Sequence, residues 1–340
     1  MKHPMPSDDS RLHVPTQEIP APKSLSPQGQ AFLAAAARRI AATSASASGM
    51  AVSPGLSNQA TQGAAAAVEF LRPFAADFRG STQTVALPSG AILHRVTPGE
   101  REGRRAEVAY VDIHGGGFVS GGGEMCQLLA QIRAKDYGVE IFSVDYRLLP
   151  EHPYPAGLDD CVAAYREVLK SYAPSALVVG GSSAGGNLAA ALMLRARDEG
   201  LPLPAALLLL TPGVDLTLSG DSHLTNRFLD VNLYGGAAYI SSYAGTASVD
   251  DPYVSPLFGD FAKGWPPTLL ATGTRDLLLS DTVRLHRALR RAGIAADLHV
   301  TEAGPHGGFM GAGAPEDAQI LAECRRFVYS AWGVTDRQPP

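Results

Sequence analysis

The sequence has few cysteines, no long apolar runs and no excess of positive charge. Its three cysteines, Cys126, Cys161 and Cys324, are far apart and odd in number, which argues against a disulfide framework or a metal-ligand cluster and predicts reduced, buried thiols. The longest apolar runs, such as residues 205–210, are much too short to span a bilayer. A net charge of −5 without blocks of like charge offers no basic surface to nucleic acid or to an anionic membrane.

Motifs for metals and organic cofactors are also missing from the sequence. It contains no H-E-x-x-H, no C-x-x-C and no dinucleotide fingerprint, so we expect neither a metal nor an organic cofactor. The first 30 residues are rich in proline and lack the apolar segment of a secretory signal, which favours a cytoplasmic protein. With 340 residues, 45% hydrophobic and 18% charged, the composition is that of an ordinary globular protein of enzyme size.

Apolar strands alternate with helices from about residue 80 onward. This alternation predicts an α/β fold with a mostly parallel central sheet and helices on both faces, and an opening hairpin adds an antiparallel edge. The predicted strands are residues 82–87, 91–96, 106–113, 139–144, 176–179, 205–210, 268–271 and 296–300. The predicted helices between them are residues 126–137, 156–172, 187–197, 279–292 and 316–332.

Two regions fall outside this alternation. Residues 1–79 comprise a polar, proline-rich arm to about residue 26 and then cap helices, predicted at 27–42 and 60–70. Residues 212–267 form an insertion with its own aromatic side chains and one short helix near 235–243, which is typical of a lid or cap. The core is therefore assigned to residues 80–211 and 268–340.

A strand, a tight turn and a helix are predicted around Ser183. Gly181 and Gly185 lie two residues on either side of it and form G-x-S-x-G, in which small neighbours permit a strained turn that exposes one hydroxyl. With 36 glycines in the chain the motif alone is weak, and a glycine-rich connection explains it equally well. A serine nucleophile also needs a base and a group that orients the base.

Asp276 and His306 are the candidates for the orienting acid and the base. Both follow predicted strands, and the order Ser183, Asp276, His306 is that of a nucleophile, acid and base on an α/β sheet. Asp276 could instead be a helix cap, and His306 could be a packed histidine. Asp281 is the main rival acid. The other histidines are placed less favourably: His3, His13, His94, His223, His286 and His299.

A glycine loop, residues 114–118, follows the strand that ends at residue 113. It reads His114-Gly115-Gly116-Gly117-Phe118, and adjacent glycines can point successive N–H groups at one oxyanion. The run is far less frequent by chance than G-x-S-x-G, although a merely flexible glycine turn is the alternative interpretation.

Over about residues 80 to 332 the sequence resembles the hormone-sensitive lipase-like, HGGG-type bacterial esterases of the α/β-hydrolase superfamily. The matching segments are the glycine loop, the run Asp145-Tyr146-Arg147-Leu148-Leu149-Pro150-Glu151-His152-Pro153-Tyr154-Pro155-Ala156, the run Gly181-Ser182-Ser183-Ala184-Gly185-Gly186, Asp276 and His306. The resemblance implies an α/β-hydrolase fold with a helical cap formed by the N-terminal region and the insertion.

The same resemblance implies roles for individual residues. Ser183 is the nucleophile, His306 the base and Asp276 the orienting acid, and the backbone N–H groups of Gly116, Gly117 and Ala184 form the oxyanion hole. Other residues of the matching segments are implied to support the glycine loop: His114, Asp145, Tyr146, Arg147, Glu151 and His152. Three departures concern the subfamily: Ser182 where many members have Asp, Leu277-Leu278 where they have Pro-Leu, and the additional Gly308 after His306-Gly307.

The expected activity is that of a serine carboxylesterase acting on small esters with short to medium acyl chains through an acyl-enzyme at Ser183. A lactone or amide hydrolase with the same residues is the alternative. A non-catalytic ligand receptor is less favoured because such receptors in this family lack the base histidine. The resemblance also permits a homodimer, on which no sequence feature decides.

Overall fold

The computed structural model describes residues 14, 18–46, 56–101, 103–236 and 242–334. The helices are α1 (Pro27–Ser46), α2 (Leu56–Ala75), α3 (Glu124–Tyr137), α4 (Ala156–Val168), α5 (Ala184–Asp198), α6 (Ser222–Thr225), α7 (Leu279–Arg291) and α8 (Pro315–Trp332). The strands are β1 (Gly80–Ala86), β2 (Ile92–Pro98), β3 (Ala109–Ile113), β4 (Glu140–Asp145), β5 (Leu177–Ser182), β6 (Ala206–Leu210), β7 (Thr268–Gly273) and β8 (Ala296–Thr301).

The eight strands form one sheet in the order β1-β2-β4-β3-β5-β6-β7-β8. Neighbouring strands from β4 to β8 are parallel, whereas β2 is antiparallel to both β1 and β4. The predicted mostly parallel sheet with an opening hairpin is therefore confirmed. Because the strands are parallel, the segments that follow β3, β5, β7 and β8 emerge at the same edge of the sheet.

Both faces of the sheet are covered by helices, as expected for parallel strands rich in apolar residues. Helices α4, α5 and α7 pack on one face, where Val111 and Val179 point, and α3 and α8 pack on the other face with Val178. Each fully buried side chain of this size contributes about 1.5–3 kcal/mol to stability. The three cysteines are buried and unpaired, as predicted.

Several element boundaries differ from the sequence-based ones. The third strand begins at Ala109 because residues 103–106 form a 3-10 turn before it. Helix α4 ends at Val168, after which Lys170 and Ser171 donate to carbonyls three residues earlier. Helix α5 begins at Ala184 instead of residue 187, so the turn at Ser183 is tighter than predicted. The short helix expected near 235–243 lies largely outside the described residues.

Helix α1 packs against the loop between β8 and α8. The ring of Phe32 in α1 meets Phe309 edge to face at 5.8 Å, and Leu33 packs in the same cluster. The end of the predicted arm is packed as well, because Ser26 donates from its N–H and its hydroxyl to Glu316 of α8. Most of residues 1–17 lie outside the described part of the chain. No helix described here is both long and apolar enough to cross a membrane.

Candidate active site

Ser183 lies at the apex of a strained turn between β5 and α5. Its φ of 57° and ψ of −121° place a non-glycine residue in a region that costs on the order of 1–3 kcal/mol. The flanking glycines are required by close approach. A Cβ on Gly181 would lie 2.2 Å from the carbonyl oxygen of Gly185, and a Cβ on Gly185 would lie 2.0 Å from that of Ile113. The turn thus holds the Ser183 hydroxyl beyond the end of β5.

The structure brings Ser183, His306 and Asp276 together from three strand ends. His306 Nε2 is 2.9 Å from Ser183 Oγ, and His306 Nδ1 is 3.0 Å from Asp276 Oδ1. Asp276 is fully buried, and Thr272 Oγ1 donates to its second oxygen at 2.7 Å. With Nδ1–H donating to the carboxylate, Nε2 carries a lone pair that can accept a proton from Ser183.

The charge around His306 favours its protonated form. Burial disfavours the imidazolium, but the nearby Asp276 carboxylate, the hydrogen bond to it and the charge of Asp230 outweigh burial and raise the pKa of His306. An imidazolium formed at this position is therefore stabilised.

The glycine loop lies directly beside Ser183. A Cβ on Gly115 would be 3.3 Å from the Cβ of Ser183, and Gly116 and Gly117 have φ values of 120° and 63°. Within the described residues the N–H groups of Gly116, Gly117 and Ala184 donate to no protein acceptor. Free N–H donors beside a serine hydroxyl are suited to binding an oxyanion.

A family model described as the α/β hydrolase fold matches residues 110–310. The chain belongs to the α/β-hydrolase fold family. An esterase of Acinetobacter venetianus is 34% identical over 223 residues, which cover 64% of this chain and 73% of that protein. The carboxylic ester hydrolase LipN of Mycobacterium tuberculosis is 35% identical over 217 residues, which cover 58% of this chain and 56% of LipN.

Solved structures extend the similarity to nearly the whole chain. The crystal structure of esterase E25 is 33% identical with a TM-score of 0.81, and the match covers 94% of this chain and 98% of E25. A hormone-sensitive lipase from a metagenome library is 29% identical with a TM-score of 0.73, covering 89% and 98%. The expected fold and the resemblance to hormone-sensitive lipase-like esterases are thereby confirmed.

In this α/β-hydrolase the side chains of His114 and Tyr146 stack on each other and hydrogen-bond to carbonyl groups of the glycine loop. Their rings stack at 4.2 Å, the Tyr146 hydroxyl donates to the His114 carbonyl at 3.0 Å, and His114 Nδ1 donates to the Gly115 carbonyl at 2.7 Å. Burial lowers the pKa of His114, although the hydrogen bond to the Gly115 carbonyl opposes that effect. The lowered pKa favours the neutral ring. The geometry agrees with a supporting function for both residues.

The neighbouring residues of the same sequence run divide into two groups. Asp145 accepts from Gly123 N–H at 3.0 Å, and Arg147 binds the buried Asp160 with its backbone N–H and its guanidinium. The side chains of Glu151 and His152 are exposed, and within the described residues neither forms an interaction. The supporting role implied for Glu151 and His152 is therefore wrong here, because their side chains are exposed and, among the described residues, hold no part of the glycine loop.

The rival acid Asp281 belongs to a separate buried group. It lies in α7, as predicted, where it accepts from the N–H of Asp215 at 2.9 Å and bonds His223 Nε2 at 2.9 Å. These contacts join the insertion to α7, whereas Asp276 is the carboxylate that bonds the His306 ring.

Two sets of potential metal ligands lie close together in the described part of the chain, namely His114 with Cys126 and Asp145, and His306 with Asp230 and Asp276. Both ring nitrogens of His306 already have protein partners. The second set is therefore committed to the hydrogen-bond network of the site.

Sequence reasoning missed three insertion residues that contact the site, Asn226, Asp230 and Asn232. Asn226 Nδ2 donates to the Asp276 carbonyl at 2.8 Å, and Asn232 Nδ2 donates to the His306 carbonyl at 2.7 Å. Asp230 accepts from Leu277 N–H at 2.8 Å. Asparagine and aspartate are ordinary in irregular segments, so no sequence signal separates these three from turn residues.

Proposed function

We propose that this protein is a serine carboxylesterase that hydrolyses short- to medium-chain esters through an acyl-enzyme at Ser183. The observation that carries the proposal is the unbroken hydrogen-bonded series Ser183, His306, Asp276, with separations of 2.9 and 3.0 Å, at the apex of a strained turn. Esterase and carboxylic ester hydrolase are also the names of its relatives.

In the proposed cycle His306 accepts the Ser183 proton as the hydroxyl oxygen attacks the ester carbonyl. The negative charge that develops on the carbonyl oxygen is stabilised by the N–H groups of Gly116, Gly117 and Ala184. His306 then protonates the departing alcohol, and Asp276 keeps the imidazole oriented throughout. A water molecule deprotonated by His306 attacks the acyl-enzyme and releases the acid.

Two measurements on the same preparation test this function. A fluorophosphonate should add one phosphonyl group to Ser183, seen by peptide mass spectrometry, and should abolish hydrolysis of p-nitrophenyl butyrate in proportion to labelling. Labelling at another residue, or hydrolysis that survives complete labelling of Ser183, would refute the assignment.

The acyl preference and the ester class need their own comparison. Lactones and anilides pass through the same tetrahedral intermediate, so their rates should be measured beside a series of linear p-nitrophenyl esters of increasing chain length. We expect the highest kcat/KM for short to medium linear esters. A kcat/KM for a lactone or an anilide above that of every linear ester would instead favour a lactone or amide hydrolase.

The pH dependence of kcat/KM should reflect the raised pKa of His306. Only the neutral imidazole accepts the Ser183 proton, and a raised pKa keeps the inactive imidazolium present to higher pH. Activity should therefore rise with pH through a midpoint above the ordinary value of 6.5. Initial rates between about pH 5 and 9, each corrected for inactivation at that pH, test this. An acid limb centred at or below the ordinary value would contradict it.

Residues 1–79 and 212–267 are proposed to form the cap. In support, α1 contacts Phe309, and a Cβ on Gly311 would lie 2.7 Å from the ring of Phe74 in α2. Both contacts are with the loop that carries His306. The homodimer and the cytoplasmic location stay predictions from the sequence.

A further inference from the structure

Asp230 is a buried carboxylate in the insertion that has no established part in the reaction. Its side chain is fully buried, and within the described residues it forms no ion pair with lysine or arginine. Backbone N–H groups take the place of a cation. Burying a carboxylate costs several kcal/mol unless such partners are supplied, so these N–H groups offset the cost of burying Asp230.

The N–H donors come from three separate segments. Leu277 donates to Oδ2 at 2.8 Å, Asn232 and Leu233 donate to Oδ1 at 2.9 and 3.1 Å, and His306 N–H lies 3.3 Å from both oxygens. Leu277 directly follows Asp276. The Asp230 carboxylate therefore connects the backbone next to Asp276 to the backbone of His306.

Two asparagines of the insertion reinforce the same connection. Asn226 Nδ2 donates to the carbonyls of Thr274 and Asp276 at 3.1 and 2.8 Å, on the acid side. Asn232 Nδ2 donates to the carbonyls of His306 and Gly308 at 2.7 and 3.2 Å, on the base side. Asp230 lies between them in the chain and contacts both sides.

Asp230 also places a second negative charge near the imidazole. Ligand atoms of Asp230, Asp276 and His306 all lie within 4.8 Å of one another. Asp276 and Asp230 are the titratable groups whose charges act on His306, whereas Asp317 of the adjacent helix α8 binds Phe309 N–H. Burial raises the pKa of Asp230, while Leu277 N–H and the charge of His306 oppose that rise.

We propose that Asp230 is a positioning residue for the esterase reaction, which fixes the separation of His306 from Asp276 through backbone bonds and stabilises the imidazolium through its charge. The proposal rests on the function proposed above. Because the reaction requires the base within hydrogen-bond reach of both partners, a displacement of about 1 Å would lower the rate on the order of 100-fold.

Asp230→Asn is the principal test. The amide keeps the size of the carboxylate but removes its charge and turns a donor toward at least one of the four N–H groups. We expect kcat for p-nitrophenyl butyrate to fall about 10- to 100-fold with little change in KM. The acid limb of kcat/KM should move to lower pH, because the imidazolium loses one stabilising charge.

Asp215→Asn is the matched control, because Asp215 is also a fully buried aspartate of the insertion. It binds Thr217, Ser219 and Arg284, whereas the charges that act on His306 are those of Asp276 and Asp230. We expect this variant to lose stability without moving the acid limb. A purely structural role for Asp230 predicts the same behaviour for both variants.

The wild-type measurements separate failure of this inference from failure of the esterase assignment. If wild type hydrolyses the ester and is labelled at Ser183, but Asp230→Asn retains its kcat and acid limb, the positioning role alone is overturned. If Asp230→Asn does not fold, Asp230→Glu tests the positioning role in its place. The longer side chain keeps the charge but cannot keep all four hydrogen bonds from the backbone N–H groups. A wild-type kcat in Asp230→Glu would overturn the role, and a tenfold or larger loss would support it.

Discussion

Ser183→Ala is expected to lower kcat for p-nitrophenyl esters by about 10⁵-fold or more while leaving the fold intact. The oxygen that would form the acyl bond is lost, so the oxyanion donors and His306 have no nucleophile to act with. The fold should survive because, in the described part of the chain, His306 Nε2 is the one hydrogen-bond partner of Ser183 Oγ, and alanine carries the same Cβ at the strained φ of 57°. Steady-state rates and thermal unfolding of the purified variant give both answers.

Ser182→Ala is the matched control for that experiment. Ser182 is the adjacent serine, but it lines a cavity of about 410 Å³ between α3, α8 and the His306 loop. We expect this variant to keep most of its activity and to react with a fluorophosphonate at Ser183. If Ser183→Ala kept more than about 1% of wild-type kcat, the acyl-enzyme mechanism would be wrong.

Gly185→Ala is expected to disrupt both the nucleophile turn and the glycine loop. The added Cβ would lie 2.0 Å from the carbonyl oxygen of Ile113 and 2.4 Å from that of His114, which are backbone atoms that cannot rotate away. Relieving the overlap must push α5 and the glycine loop apart. We expect the free energy of unfolding to fall by about 3 kcal/mol and kcat to fall on the order of 100-fold.

Gly29→Ala provides the comparison for this substitution, since Gly29 is also a helical glycine. A Cβ there would meet its nearest atoms at 3.5 Å, an ordinary contact, so we expect no loss and up to about 0.5 kcal/mol of gain from helix propensity. Urea unfolding of both variants and of wild type measures the difference. Equal stabilities for the two variants would show that the turn tolerates a side chain at position 185.

The side chains proposed to react could be predicted because their signals are local. Ser183 lies within a five-residue motif, and the glycine loop directly follows a strand. Asp276 and His306 were found by applying one rule, that functional groups follow strand ends in a parallel sheet. Helix and strand bounds were less accurate, because the 3-10 turn before β3 and the early end of α4 depend on packing that periodicity does not report.

Contacts across the chain could not be predicted in the same way. Asp230 is 76 residues from His306 and 47 from Leu277, and it stands in an insertion without periodicity. Side-chain exposure could not be predicted either. Glu151 and His152 lie in a run that resembles the family, yet their side chains are exposed. The same run places Tyr146 under the glycine loop.

By itself the sequence determined the α/β class, the order of the elements and the three residues proposed to act on the ester. It could do so because side-chain periodicity, glycine-dependent turns and motif order are properties of short segments. Only the tertiary structure decided which buried groups surround His306, since burial and charge there depend on the packing of β7, β8 and the insertion against one another. The insertion, predicted as a cap, thus also places the carboxylate of Asp230 beside His306.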